Sequence, residues 1–146
     1  MTNYERINSE RNIFLIKIFE PEQNTLQFEL SIGIVGELKK SNKLLGIDIG
    51  PAQQILHNAN SEVYKITFDK YIAYSVINES YESLGGKEYT GDKIRIYKKS
   101  NFLEYIEADT FASSVYPEEL KHYAFISLNH IVNVISNVEP KIEKIN

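Results

Sequence analysis

The chain has no cysteine, no tryptophan, one methionine and three arginines against thirteen lysines. Without cysteine there are no disulfides, no thiolate nucleophile, no zinc ribbon and no cysteine-held iron–sulfur cluster. No run approaches the roughly 18 to 20 apolar residues of a membrane-spanning helix. The opening residues, MTNYERINSERN, are polar and lack the apolar core of a secretory signal. A cytoplasmic protein that keeps clear of membranes is expected. On that reading the glycosylation pattern Asn78-Glu79-Ser80 is void, because it needs a secretory route. The excess of Ile, Lys and Asn over Arg suits an AT-rich bacterial genome.

Basic character is also missing. The formal charge is −4 and the pI about 5.4, so the chain repels a phosphate backbone and nucleic-acid binding is not expected. What is present is ordinary for a globular domain: 42% hydrophobic and 25% charged residues. At 146 residues the chain matches one domain and can bury roughly 70% of the surface it exposes when unfolded. One domain over 1–146 is expected, with polar tails at about 1–11 and 139–146, the second of them mobile.

Alternation dominates the pattern. TLQFELSIGIV (25–35) places Leu26, Phe28, Leu30, Ile32 and Ile34 on one face, which predicts a half-buried strand. IFLIKIFE (13–20), stopped by Pro21, predicts its hairpin partner. Strands are also predicted over 44–50, 62–69, 93–99 and 122–128. YIAYSVIN (71–78) and HIVNVIS (130–136) read as strands on their β-branched and aromatic content, with a helix as the alternative. Ser100 is placed to cap a short helix, NFLEYIEAD (101–109). Segments 36–43, 83–92 and 110–120 read as turns or loops, and 52–57 reads either way. The spacings are too short for parallel crossovers. The fold class predicted is α+β, mainly β: an antiparallel-rich twisted sheet or partly closed barrel with one or two short helices.

Reactive motifs are scarce. No Gly-x-Ser-x-Gly elbow or phosphate-binding glycine loop occurs. His57, His122 and His130 lack metal-ligand spacing and read as structural; no metal or cofactor is expected. The strongest surface signal is 101–120. It holds Glu104, Glu107, Asp109, Glu118 and Glu119 with no Lys or Arg, and carries Phe102, Tyr105, Phe111 and Tyr116. A basic strand with Lys93, Arg95, Lys98 and Lys99 precedes it. The plain reading is a solvated face beside its counter-charges. The sharper one is a surface that docks a basic protein through Glu104, Tyr105, Glu107, Asp109 and Tyr116, since tyrosine buries large area and acids speed association with a basic partner. Six of the ten tyrosines fall between 64 and 97, but stacking on nucleic-acid bases needs a basic groove as well.

Two stretches, YIAYSVINESY (71–81) and LKHYAFISLNHIVNVIS (120–136), resemble segments of small bacterial proteins of no established activity. The resemblance carries no catalytic motif. It implies that Asn78, Glu79, Tyr81, His122 and Tyr123 are neighbours. Two functions follow as expectations. The first is a non-enzymatic protein-binding domain of immunity or antitoxin kind that neutralises a basic partner. The alternative is a small-molecule enzyme or ligand-binding domain with a cleft near Glu79, Tyr81 and His122. A scaffold subunit pairing through a sheet edge is a third.

Overall fold

The structure is a computed structural model and describes residues 1–39, 43–44, 47–48, 52–83, 87–113, 115–117 and 119–146. In chain order the elements are α1 (Asn3–Asn8), β1 (Ile13–Glu22), β2 (Thr25–Ile32), β3 (Ile34–Lys39), β4 (Lys43–Leu44), β5 (Ile47–Asp48), β6 (Ala52–Leu56), β7 (Val63–Phe68), β8 (Ala73–Asn78), a 3-10 turn (Glu79–Tyr81), β9 (Glu88–Thr90), β10 (Ile94–Lys99), α2 (Asn101–Asp109), β11 (Lys121–Ile126), β12 (His130–Ser136) and β13 (Lys141–Lys144). The fold is α+β and mainly β. Four strands form one sheet in the order β1-β2-β7-β13, and five form a second in the order β8-β12-β11-β10-β9. Every neighbouring pair in both is antiparallel. No barrel closes among the described residues; the two sheets pack face to face instead.

Period two explains the packing. Leu26, Phe28 and Leu30 of β2 and Tyr64, Ile66 and Phe68 of β7 project from the first sheet into one core. Ile94, Tyr123, Phe125, Val132 and Val134 project into it from the second. Phe125 meets Phe28 edge-on at 4.8 Å between ring centroids, and Tyr123 meets Phe68 at 5.3 Å. Such pairs add to what area burial alone supplies. Asn129, in the turn between β11 and β12, ties the sheets further. Its side-chain amide exchanges two hydrogen bonds of 3.0 Å with the backbone of Leu15, where the β1–β2 register slips.

Several segments differ from expectation. β1 runs through Pro21 to Glu22, because β1 is an edge strand and its ladder is irregular between Phe19 and Glu22. A missing N–H is tolerated in such places. The connection to β2 is then only Gln23-Asn24, with Asn24 at φ 65°, a conformation asparagine tolerates. The predicted strand 25–35 breaks at Gly33. A Cβ there would lie 2.7 Å from Ile55 Cγ2 and 3.0 Å from Phe14 Cε2, so close packing demands glycine. Beyond the break, β3 continues into the stretch expected to be loop and pairs with β6. Parts of the predicted strand 44–50 and of the turns 36–43 and 83–92 lie outside the described residues. Segments 73–78 and 130–136 are strands.

The two tails are docked. Thr2 and Glu5 form a capping box that starts α1, and Ile7 is buried in the shared core. Asn8 Oδ1 accepts the backbone N–H groups of Asp92, Lys93 and Ile94, each at 2.9 Å. At the other end β13 pairs with β7, and Ile142 packs against the core. Each tail contributes too few apolar residues to show a period. Replacing Asn8 by alanine strands three donors and is expected to cost about 2 kcal/mol in urea unfolding. Asn8→Asp, which keeps the acceptor, should cost less than half as much; equal losses would show that the acceptor is not what holds the turn. Among the described residues no helix is long and apolar enough to cross a membrane.

Candidate functional site

Two places concentrate chemistry. The first is α2 and the chain that follows. Ser100 caps the helix by accepting the Leu103 N–H at 3.1 Å. Ile106 is buried and Phe102 and Leu103, four and three residues before it, are half-buried against the sheet, so the three share one helix face. That rotation leaves Glu104, Tyr105, Glu107 and Asp109 exposed on the other side. Among the described residues no lysine or arginine pairs with these three acids. Past the helix end Phe111, Val115 and Tyr116 are 85%, 83% and 65% exposed. The Phe111 and Tyr116 rings stack with centroids 6.1 Å apart and planes 20° from parallel. Beside them opens a groove of about 650 Å³, bounded also by Asn24 of the β1–β2 turn and by Asp69 and Tyr71. The five residues predicted for a partner surface all lie exposed along this stretch. Phe111 is among the aromatics read in the acidic segment of the sequence but not among the residues predicted to dock, and Val115 is among neither. The signal that could have found them is their place beyond α2, where no helical stripe claims an apolar side chain.

The second place is the outer face of the five-stranded sheet. Alternate residues of β10, β11 and β12 turn away from the shared core, so Tyr97, Ala124, Ile126 and Ile131 form a second apolar cluster. His122 lies among them, 3% exposed. Its ring stacks on Tyr97 at 4.4 Å and meets the Phe102 edge at 5.4 Å. Ser100 Oγ is 2.6 Å from His122 Nδ1, and Asn133 Oδ1 is 2.8 Å from Nε2. A neutral imidazole satisfies all of this. Its Nε2–H donates to Asn133, its Nδ1 accepts the Ser100 hydroxyl, and Ser100 Oγ accepts from Leu103. Burial is the main reason that the His122 pKa is pushed down to about 4; the Asn133 hydrogen bond opposes this, and the charge of Lys87 adds to it. Serine, histidine and asparagine in a row suggest a nucleophile relay. Here, however, Ser100 is 2% exposed and its oxygen caps a helix. The trio pins the start of α2 to the sheet.

Over this face lies a chamber of about 240 Å³, walled by Ile77, Tyr97, Phe102 and Ile131, with Tyr81 and Lys87 at its rim. A smaller space of about 110 Å³ adjoins it at Glu82, Ser83 and Lys87 and reaches Tyr89 and Arg95. Arg95 donates to Glu82 at 2.7 Å, and its guanidinium lies 4.4 Å from the centre of the Tyr89 ring.

The grouping implied for Asn78, Glu79, Tyr81, His122 and Tyr123 forms only in part. Tyr81 borders the chamber, and His122 sits behind its wall through Tyr97, Ser100 and Asn133. Asn78 Oδ1 accepts the Ser80 N–H at 3.0 Å and so starts the turn that carries Glu79 and Tyr81; neither Asn78 nor Glu79 lines the chamber. Tyr123 is on the opposite face against Phe68, because adjacent strand residues point to opposite sides. No family model matches the chain, and no curated protein or solved structure does. Among the described residues no three His, Asp or Glu side chains converge as metal ligands. His57 Nδ1 lies 2.5 Å from Ser31 Oγ, whereas His130 Nδ1 is buried without a hydrogen-bond partner among them.

Proposed function

We propose that the protein is a non-enzymatic binding domain of immunity or antitoxin kind, acting in a bacterial cytoplasm, and that it neutralises a basic protein by covering it with α2 and residues 110–117. The observation that carries this reading is the exposure of Phe111, Val115 and Tyr116 next to carboxylates with no counter-charge among the described residues. Burying one such side chain is worth about 1.5 to 3 kcal/mol. Three together offset a substantial part of the cost of association. The surrounding acids attract a positively charged surface and repel an acidic competitor. Neutralisation of this type requires a complementary surface and no reactive group.

The test compares capture of a partner from the host by the wild type with capture by two variants. One is the triple reversal E104K/E107K/D109K; the other is F111A/Y116A. The partner should be basic. The reversal should weaken purified-partner binding at least ~10-fold at low salt, with a smaller loss at high salt. The aromatic deletion should weaken it at least ~10-fold at any salt. A partner that binds both variants as tightly as the wild type sinks the proposal.

A further inference from the structure

We infer that the chamber beneath Tyr81 is a binding site for a small planar carboxylate carrying one aromatic ring, separate from the acidic outer face of α2. Size sets the first limit. At about 240 Å³ the chamber falls below the roughly 300 to 1,000 Å³ of sites for drug-sized ligands, so a single ring fills it. The walls set the second. Ile77 and Ile131 are register partners on β8 and β12, and with Tyr97 and Phe102 they offer apolar and aromatic contact around a flat occupant.

Charge decides the rest. The chain as a whole carries −4, yet the rim shared by the two adjoining spaces holds Lys87 and one carboxylate, Glu82, and Arg95 faces that carboxylate from the smaller space. Glu82 is committed to Arg95, and the two side chains are only 18% and 13% exposed. Lys87 has no carboxylate partner among the described residues. Its ammonium lies over the Tyr97 ring, 5.9 Å from the centroid, at the edge of the aromatic wall. A lone ammonium at a concave rim attracts one anionic group. A dianionic phosphate would set two charges against that single ammonium. Asn133 adds direction. Its Oδ1 is held by His122, but its Nδ2 makes only one long contact, 3.4 Å to Ser75 Oγ. A second N–H is left to donate to a ligand.

The test uses the whole chain, isotope-labelled, with benzoate as the probe and benzamide as its uncharged counterpart, followed by NMR. Benzoate should shift the Ile77 and Ile131 methyls and the Asn133 side-chain amide in a saturable way. Benzamide should bind at least ~10-fold more weakly, and Lys87→Gln should lower benzoate affinity by a similar factor. The ligand pair needs no variant, so it stands even if Lys87→Gln folds poorly. Three results would each overturn the inference: no saturable shift at those positions, benzamide binding as tightly as benzoate, or a folded Lys87→Gln protein with unchanged affinity.

Discussion

Phe125→Ala should lower the unfolding free energy by about 4 kcal/mol, the largest loss expected from one substitution here. Phe125 is fully buried in β11. It stands between the sheets, edge-on to Phe28 at 4.8 Å and to Phe68 at 6.0 Å. Its cross-strand neighbours, Ile94 and Val132, are themselves buried, so little can collapse into the cavity left behind. A domain of this kind has only about 5 to 15 kcal/mol in total, and the variant should sit close to its unfolding transition. Phe111→Ala is the control. With 85% of its surface exposed, Phe111 should change stability by no more than about 0.5 kcal/mol. Guanidinium unfolding of both variants separates the two roles of phenylalanine. Comparable losses at the two positions would mean that the sheets do not pack as described.

Acid should destabilise the protein through His122. Its pKa is 6.5 when free and about 4 in the fold. The unfolded chain therefore binds a proton as pH falls through 6.5, and the folded protein does not until pH falls through about 4. Stability is full above pH 6.5, declines between 6.5 and 4, and is flat with respect to this group below that. A separation of this size corresponds to about 3 kcal/mol. His122→Gln tests the origin, because a glutamine amide can still accept from Ser100 and donate to Asn133 without titrating. The wild type should lose about 2 to 3 kcal/mol more than this variant between pH 7 and pH 4.5. Equal slopes would show that His122 is not buried as a neutral ring. Glu62 acts in a different window. The Tyr64 hydroxyl first, and Arg6 after it, hold its pKa below 4.5 against the effect of burial. Its contribution is present above 4.5 and lost below, so it leaves the comparison at higher pH unchanged.

The parts of this fold that were legible in the sequence are those with one face in the core and one outside. In β2 the alternation of Leu26, Phe28 and Leu30 with Gln27 and Glu29 matches buried and half-buried positions one for one. In β10 Ile94 and Ile96 point inward while Arg95 and Tyr97 point out. β12 was harder, since residues 131–136 are all buried. With both faces covered no alternation is visible, and only β-branched density marks a strand. The tails were illegible because their anchors are distant. Asn8 bonds to residues more than eighty positions away, and β13 is held by a partner strand, not by its own composition. The same limit applied to the candidate cleft. Tyr81 borders the chamber and His122 lies behind its wall only because β8, β12 and β11 are adjacent, whereas Tyr123 is turned to the opposite face by a single step along its strand. On the acidic face the sequence pattern sufficed for Glu104, Glu107 and Asp109, because a short amphipathic helix leaves few choices of outward side.

Hydrogen–deuterium exchange on the complex with the captured basic partner probes the acidic, aromatic face most directly. Slowed exchange confined to residues 101–117, with β9, β10 and β1 unchanged, is the expected result. Protection at a sheet edge or around Tyr81, with 101–117 exchanging as in the free protein, would contradict it.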